Sequence, residues 1–206
     1  MANHCFSKVS FFGNNEVLEQ VEKWNAALVA FSPTKEDPLC LRAIRSVFYP
    51  DTTSDETTKL VPTWIYPDSI GTGADNHKLC LGSVRHMPDL LLCHLASNLR
   101  KFDKNIVLQN IFFIEDGTYG FQYITTASDS EIYAQGSDIN VEWNSCNEHE
   151  GPAIDPESLY KEREIKCLTD FILDNPNTIN VIQEFMPEFP LDWNQLKIDA
   201  VRADAE

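Results

Sequence analysis

Residues 87–126 read MPDLLLCHLASNLRKFDKNIVLQNIFFIEDGTYGFQYITT, and this stretch decides the fold of the chain. Pro88 stands where the first residue of a helix belongs, and Asp89 places a negative charge at the positive end of the helix dipole. The apolar residues that follow recur mostly at three- and four-residue spacing, namely Leu91, Leu92, Leu95, Leu99 and Phe102. This spacing predicts a helix with one buried face.

Two strand-like runs come after this helix, at residues 106–114 and 118–126. Between them stands Glu115-Asp116-Gly117, which is typical of a tight hairpin turn. A helix that packs its apolar face on the following hairpin forms half of an α+β sandwich. The stretch therefore predicts a fold class and names no reaction.

The N-terminal part of the chain predicts a strand followed by a helix. Residues 5–12 mix small or polar residues with large apolar ones, which favours a half-buried strand. Either Asn14 or Asn15 can cap the helix that follows, because an asparagine side chain accepts a hydrogen bond from the first helical turn. Ser32-Pro33 ends this helix.

Residues 33–76 form a long region with poor periodicity. Within it, residues 39–48 fit either a short helix or a strand. Residues 60–66 fit an edge strand, since Pro62 cannot donate to a sheet ladder. Residues 78–84 then predict the strand that leads into the central helix.

After the hairpin, residues 130–143 predict either a strand pair or one bent strand, with a turn or bulge at residues 135–138. Residues 144–155 are polar and typical of a linker or exposed loop. A helix is predicted from residue 155 to about residue 173, a second one at residues 177–186, and a short final helix near the end.

The order of elements predicts an α+β protein with a ferredoxin-like antiparallel sheet, two helices on one face, and extra strands. We assign residues 1–150 to this domain, with the insertion at about residues 33–76. Residues 151–206 are predicted to be a C-terminal helical extension, docked on the domain through the aromatic anchors Phe189 and Trp193.

The opening residues 1–13, MANHCFSKVSFFG, resemble the start of ferredoxin-like domain proteins carried by phages and plasmids (the YubB type), which begin Asn-x-Cys-x-x-x-Val/Leu-x-x-x-Gly. Residues 87–123, with Gly117 and Gly120-Phe121, are similar to that family's second half. The chain departs from the family at residues 70–73, where Ile-Gly-Thr-Gly replaces a Trp-Gly-Thr-Lys-like segment. The resemblance implies a ferredoxin-like fold and a mobile-element origin, and it carries over no catalytic residues.

Charge is distributed unevenly along the 206 residues, whose net charge is −16. Residues 1–110 contain 12 acidic and 11 basic side chains, whereas residues 111–206 contain 20 acidic and 5 basic ones. Such a field repels nucleic acid and anionic membranes, and it attracts basic proteins. We therefore expect a basic protein partner, with no direct binding of nucleic acid or membrane.

The cellular compartment is predicted from features that the sequence lacks. No apolar run approaches the roughly 20 residues that cross a bilayer, and residues 1–5 lack the order of a signal peptide. The six cysteines are scattered without a C-x-x-C pair, which favours reduced thiols that mostly act as small core residues. The prediction is a cytoplasmic protein, and the resemblance to phage and plasmid proteins implies that the cell is a bacterial host.

One cluster raises the alternative of a metal-dependent hydrolase. His86, Cys93 and His94 lie on and before the central helix, with Asp89 one turn before Cys93. A zinc site needs three or four ligands at about 2.0–2.3 Å. Few other groups are available to complete the set, and common catalytic motifs are absent, so we predict no catalytic residue, metal or cofactor.

The acidic second half of the chain, residues 111–206, is the remaining indication of function. The residues predicted to bind a partner are Glu115, Asp116, Asp129, Glu131, Asp138, Glu142, Glu148 and Glu150. The hypothesis is a non-enzymatic binding protein of mobile-element type that inhibits a basic host protein through this acidic half. The resemblance to phage and plasmid proteins implies that the target handles nucleic acid or acts in defence. The same acidity also serves solubility alone, and the small metal-dependent hydrolase using His86, His94 and nearby acids is the alternative. The sequence leaves the oligomeric state and the identity of the partner open.

Overall fold

The computed structural model of the chain describes residues 4–30, 41–50, 65–67, 78–84, 88–114, 118–126, 132–140 and 156–203. The strands in this part of the chain are β1 His4–Phe12, β2 Ile65–Pro67, β3 Lys78–Val84, β4 Val107–Ile114, β5 Thr118–Thr126 and β6 Ile132–Asn140. The α-helices are α1 Asn15–Ala30, α2 Leu41–Phe48, α3 Asp89–Leu99, α4 Pro156–Asp174, α5 Ile179–Phe185 and α6 Trp193–Ala203. A 3-10 turn, Pro176–Thr178, joins α4 to α5.

The described strands form one antiparallel sheet in the order β2-β3-β1-β4-β5-β6. Strand β1 lies inside the sheet, where Val9 is opposite Leu79 of β3 and Asn110 of β4. The predicted pairing of β4 with β5 is confirmed, with Phe113 opposite Tyr119. The α+β class and the antiparallel sheet are therefore confirmed.

Helices α1, α2 and α3 cover one face of the sheet. Their buried side chains are Val17, Val21, Trp24 and Leu28 from α1, Ile44 and Phe48 from α2, and Leu91, Leu92, Leu95, Ala96 and Leu99 from α3. They meet Leu81, Leu108 and Ile124 of the sheet. Because burying one such leucine contributes roughly 1.5–3 kcal/mol, the apolar stripe of α3 is a major source of stability.

The C-terminal helices cover the opposite face. Leu168, Phe171 and Ile172 of α4 are fully buried there, against Val107 of β4 and Tyr123 of β5. The rings of Tyr123 and Phe171 lie 5.6 Å apart between centroids. A second core thus lies behind the first, and the sheet separates them.

Polar contacts fix where α1 and α3 begin and end. The Val17 N–H donates to Asn14 Oδ1 at 3.1 Å, so Asn14 is the cap of α1. The Asn14 N–H in turn donates to Asp103 Oδ2 at 2.9 Å, which ties α1 to the segment after α3. Arg100 Nη1 donates to the Thr126 carbonyl oxygen at 2.7 Å and holds the end of α3 to the end of β5.

Three local expectations are resolved or corrected. Residues 39–48, which fitted either a helix or a strand, contain the helix α2. Helix α3 begins at Asp89, so Pro88 occupies the cap position one residue before the predicted place. The expected turn or bulge at residues 135–138 is wrong, because β6 runs unbroken along β5 with Gly136 opposite Gln122.

Other expectations fall mainly outside the described residues. The hairpin turn at residues 115–117 lies there, as does most of the predicted insertion at residues 33–76. From that insertion the structure describes residues 41–50, which contain α2, and the short strand β2 at the edge of the sheet.

Leu95→Ala tests the stripe of α3. Leu95 is fully buried, so we expect a loss of about 2–5 kcal/mol in the free energy of unfolding, from lost transfer energy and the cavity left behind. Urea denaturation monitored by circular dichroism measures this loss. The matched control is Leu90→Ala in the same helix, because Leu90 is 54% exposed. Equal losses for the two variants would contradict the packing described here.

Candidate binding groove

An open groove of about 900 Å³ lies on the second face of the sheet. Its floor is formed by Ile111 of β4 and by Tyr119 and Phe121 of β5. Its walls are the N-terminal half of α4 and the segment 185–190 between α5 and α6. Among the side chains of α4 that the structure describes, full burial begins at Cys167, so residues 160–166 leave the groove open beside the sheet.

Aromatic and aliphatic groups dominate the lining of this groove. The apolar members are Ile111, Tyr119, Phe121, Tyr160, Phe185, Met186, Pro187, Phe189 and Pro190. The charged members are Lys161, Glu164 and Glu188. A concave apolar surface with a few polar groups is typical of a binding site.

The floor of the groove continues onto a row of aromatic side chains across three strands. Phe6 of β1 lies opposite Phe113 of β4, and Phe113 lies opposite Tyr119 of β5. Directly opposite residues project to the same face of a sheet. Phe113 is 43% exposed, which is unusual for a phenylalanine in a central strand. The row therefore extends the apolar surface beyond the groove.

Glu164 of α4 lies between the groove and the second core. Gln109 Nε2 donates to Glu164 Oε1 at 3.2 Å and to the Tyr123 hydroxyl at 3.1 Å. Among the described residues, no cation lies within 4.0 Å of the Glu164 carboxylate. Within the part of the chain that the structure describes, the hydrogen-bond partner of this partly buried carboxylate is thus a neutral amide.

Burial raises the pKa of Glu164 above its usual range, and the exposed Lys161 opposes this effect. Burial also raises the pKa of Tyr119, to which the charge of Glu164 and the neighbouring Tyr160 add. A perturbed carboxylate in a cleft is a candidate functional group. The groove, and Glu164 within it, is therefore the candidate site.

Of the two histidines in the metal-dependent alternative, His94 has a structural role. Both the Phe48 carbonyl oxygen and Asn98 Nδ2 lie 2.8 Å from His94 Nε2, and the His94 ring stacks on Tyr49 at 4.0 Å. These contacts join the end of α2 to α3 beside a smaller cleft of about 280 Å³. His94 therefore already uses one ring nitrogen within the fold.

The remaining residues of that alternative offer little support. Burial first, and Asp89 second, raises the pKa of the Cys93 thiol, which is the opposite of an activated thiolate. Groups of three or more histidine, cysteine, aspartate or glutamate side chains able to hold a metal ion are absent from the described part of the chain. Because His86 lies outside that part, the hydrolase alternative stays a prediction.

The eight acidic residues predicted to bind a partner are mostly outside the described ranges. Asp138 lies in β6, the edge strand of the sheet beside β5. The other seven are Glu115, Asp116, Asp129, Glu131, Glu142, Glu148 and Glu150, and their roles stay predictions. The structure therefore brings none of the eight together in a described site.

Sequence reasoning missed the groove residues, although two local signals pointed to them. Tyr119 and Phe121 alternate along β5 and so project to one face. Tyr160 and Glu164 are four residues apart in a helix and so share a face. Neither signal shows that the two pairs meet, because strand and helix are distant in the chain.

The chain matches no family model, no curated protein and no solved structure. No helix among the described residues is long and apolar enough to cross a membrane.

Glu164→Gln tests the electrostatic cost of this carboxylate. The amide keeps the oxygen that accepts from Gln109 and removes the charge, so we expect the melting temperature at pH 7 to rise by up to about 3 °C. Because the folded pKa of Glu164 is raised, the wild-type protein regains this stability as the pH falls through the raised pKa toward the ordinary value. The difference between the two proteins should therefore shrink toward pH 4.

The matched control is Glu162→Gln, which removes an exposed charge from the same helix. It should leave the melting temperature nearly unchanged at both pH values, as differential scanning fluorimetry can show. A Glu164→Gln variant that is less stable than the wild type at pH 7 would contradict the assignment.

Proposed function

We propose that this protein is a non-enzymatic binding protein that holds a basic partner protein through the groove and the acidic second half of the chain. The observation that carries the proposal is the open groove of about 900 Å³, whose lining is apolar except for Lys161, Glu164 and Glu188. A concave, mostly apolar recess of this volume with a few polar groups is typical of a binding site. A recess rich in aromatic residues is the usual centre of such interfaces.

The excess of acidic residues in the second half of the chain supports a basic protein as the partner. Residues 111–206 contribute the groove's lining and also carry 20 acidic against 5 basic side chains. Acidic surface around an apolar centre speeds encounter with a basic protein and disfavours acidic ones. The groove then supplies the contacts that keep the partner bound.

The fold and the resemblance extend this proposal. The element order β1-α1-β2-β3-α3-β4, with α2 added after α1, is that of the ferredoxin-like split βαβ arrangement, which supports a fold of that type. A resemblance to phage and plasmid proteins favours a bacterial cytoplasm as the compartment. The expected target is a host protein that handles nucleic acid or acts in defence, because such proteins present basic surfaces, and binding would inhibit it.

Polar substitutions in the groove, at Phe189, and in the adjoining aromatic row, at Phe113, test the apolar contribution. We expect Phe113→Ser combined with Phe189→Ser to lower retention of a basic bacterial protein on the immobilised chain by about tenfold, since aromatic anchors dominate interfaces. Retention from a bacterial lysate at low salt, quantified by mass spectrometry, measures the effect. The control is Val201→Ser, because Val201 is 71% exposed on α6 and is not part of the groove. Retention of the same protein by both variants would exclude the groove as the docking site.

Neutralising carboxylates tests the charge contribution. Changing all eight predicted acidic residues to their amides should abolish retention, whereas single changes should do little, because the field is spread over many groups. In the wild type, about 0.3–0.5 M salt should release the partner, since the screening length then falls to about 5 Å. Neutralising the exposed Glu16, Glu19 and Glu22 of α1 is the control and should change retention little. Binding that persists in high salt and in the eightfold variant would contradict the role of charge.

A further inference from the structure

Three aromatic rings of the groove lining, Tyr119, Tyr160 and the buried Phe121, pack together. The ring centroids of Tyr119 and Tyr160 lie 4.8 Å apart with their planes tilted by 49°, and Phe121 meets Tyr119 edge-on at 5.3 Å. Tyr119 and Phe121 come from β5, and Tyr160 comes from the first turns of α4. Aromatic faces arranged at angles to one another attract a cation placed between them.

A carboxylate lies beside these rings. Glu164 follows Tyr160 by one helical turn, so both project from the same side of α4. Glu164 lines the same groove as Tyr119 and Tyr160, which places the carboxylate beside the aromatic cluster. The helix α4 and the strand β5 therefore bring together a negative charge and an aromatic cluster.

The Glu164 carboxylate is only partly used by the fold. A carboxylate has about four acceptor positions on its two oxygens, and Gln109 fills one of them. Within the described ranges no cation lies within 4.0 Å of it, and Lys161, a cation of the same helix that also lines the groove, is exposed. Burying such a charge without a cation costs stability, and a bound cation would offset that cost.

We propose that Tyr119, Tyr160 and Glu164 form a subsite for one arginine side chain of the partner protein. This inference rests on the proposed binding function and specifies how the groove recognises a basic segment of the partner protein. A guanidinium is planar, stacks on tyrosine rings and donates two parallel hydrogen bonds to a carboxylate. The ammonium group of lysine has neither a planar face nor paired N–H donors, so arginine binds to this subsite more tightly than lysine.

The same rings could stack on nucleic-acid bases, but the charges favour a protein ligand. Single-stranded nucleic acid needs positive groups along its phosphates. The groove instead contains Glu164 and Glu188 against Lys161, within a half of the chain that carries 20 acidic and 5 basic side chains. A cationic side chain is therefore the ligand that fits this part of the groove.

The test is a titration of the full chain with N-acetyl-arginine methylamide, followed by NMR of isotopically labelled tyrosine rings. The ring signals of Tyr119 and Tyr160, assigned with Tyr→Phe variants, should shift and reach saturation. The isosteric neutral probe, N-acetyl-citrulline methylamide, should bind at least about tenfold more weakly, because it lacks the charge that strengthens the hydrogen bonds to the carboxylate. N-acetyl-lysine methylamide should fall between the two.

Variants separate the subsite from the general field of the protein. Glu164→Gln should weaken binding of the arginine probe by about tenfold and leave binding of the citrulline probe unchanged. Glu162→Gln removes the same charge from an exposed position of α4 and should not weaken either probe. Tyr160→Leu, checked for folding by its melting temperature, should weaken the arginine probe by removing one aromatic face.

The outcomes distinguish the subsite from the wider function. Equal binding of the arginine and citrulline probes, or equal losses in the two glutamate variants, would overturn the subsite. Tighter binding of a single-stranded oligonucleotide than of the arginine probe would overturn it as well. A third outcome is that the arginine probe shows no binding while the wild-type chain retains a basic protein that the Phe113→Ser and Phe189→Ser variant releases. In that case the subsite is wrong and the proposed binding function stands. If the arginine probe does not bind and the wild-type chain retains no basic protein, the proposed function is overturned as well.

Discussion

Strand β4 has to serve two hydrophobic cores at once, and the rest of the structure depends on this constraint. Leu108 packs under α1–α3, whereas its neighbour Val107 packs under the C-terminal helices. Successive side chains of a strand project to opposite faces, so a slip of one residue would exchange the two sets. The pairing of β4 with β1 and β5 is therefore strongly specified, and the positions of the helices on both faces follow from it.

The polar residues in the middle of β4 serve the same purpose. Gln109 and Asn110 are adjacent and buried, and they face opposite cores. Asn110 Nδ2 donates to Gln122 Oε1 at 3.3 Å, and Gln122 Nε2 donates to Asp89 Oδ1 at the start of α3. The hydrogen bonds from Asn110 to Gln122 and from Gln122 to Asp89 form in one register only, so they favour that register and the observed position of the start of α3.

The groove shows how stability and binding compete on one face of the sheet. Tight packing of α4 begins at Cys167, where burial raises the pKa of the thiol to about 12 and leaves it inert. Before that point α4 leaves aromatic rings and the Glu164 carboxylate at an open surface. Covering the rings and neutralising the charge would stabilise the fold, so their retention is the pattern expected of a binding surface. The rigid sheet below keeps the rings in place, which lowers the entropic cost of binding.

The sequence by itself determined the local elements. The spacing of the leucines in α3, the strand at Lys78–Val84 and the paired strands β4 and β5 were all predictable, because periodicity and turn residues are local signals. Long-range pairing was decided only by the tertiary structure: β6 runs straight through Gly136 because its pairing with β5 outweighs a local turn preference. The groove is likewise decided by the tertiary structure, since Tyr119 and Tyr160 meet only after α4 docks on β5. The sequence pointed to carboxylates because they are in excess in the second half of the chain. The aromatic residues of the groove look like core residues in the sequence, and only the fold shows that Tyr119 and Tyr160 also line an open groove.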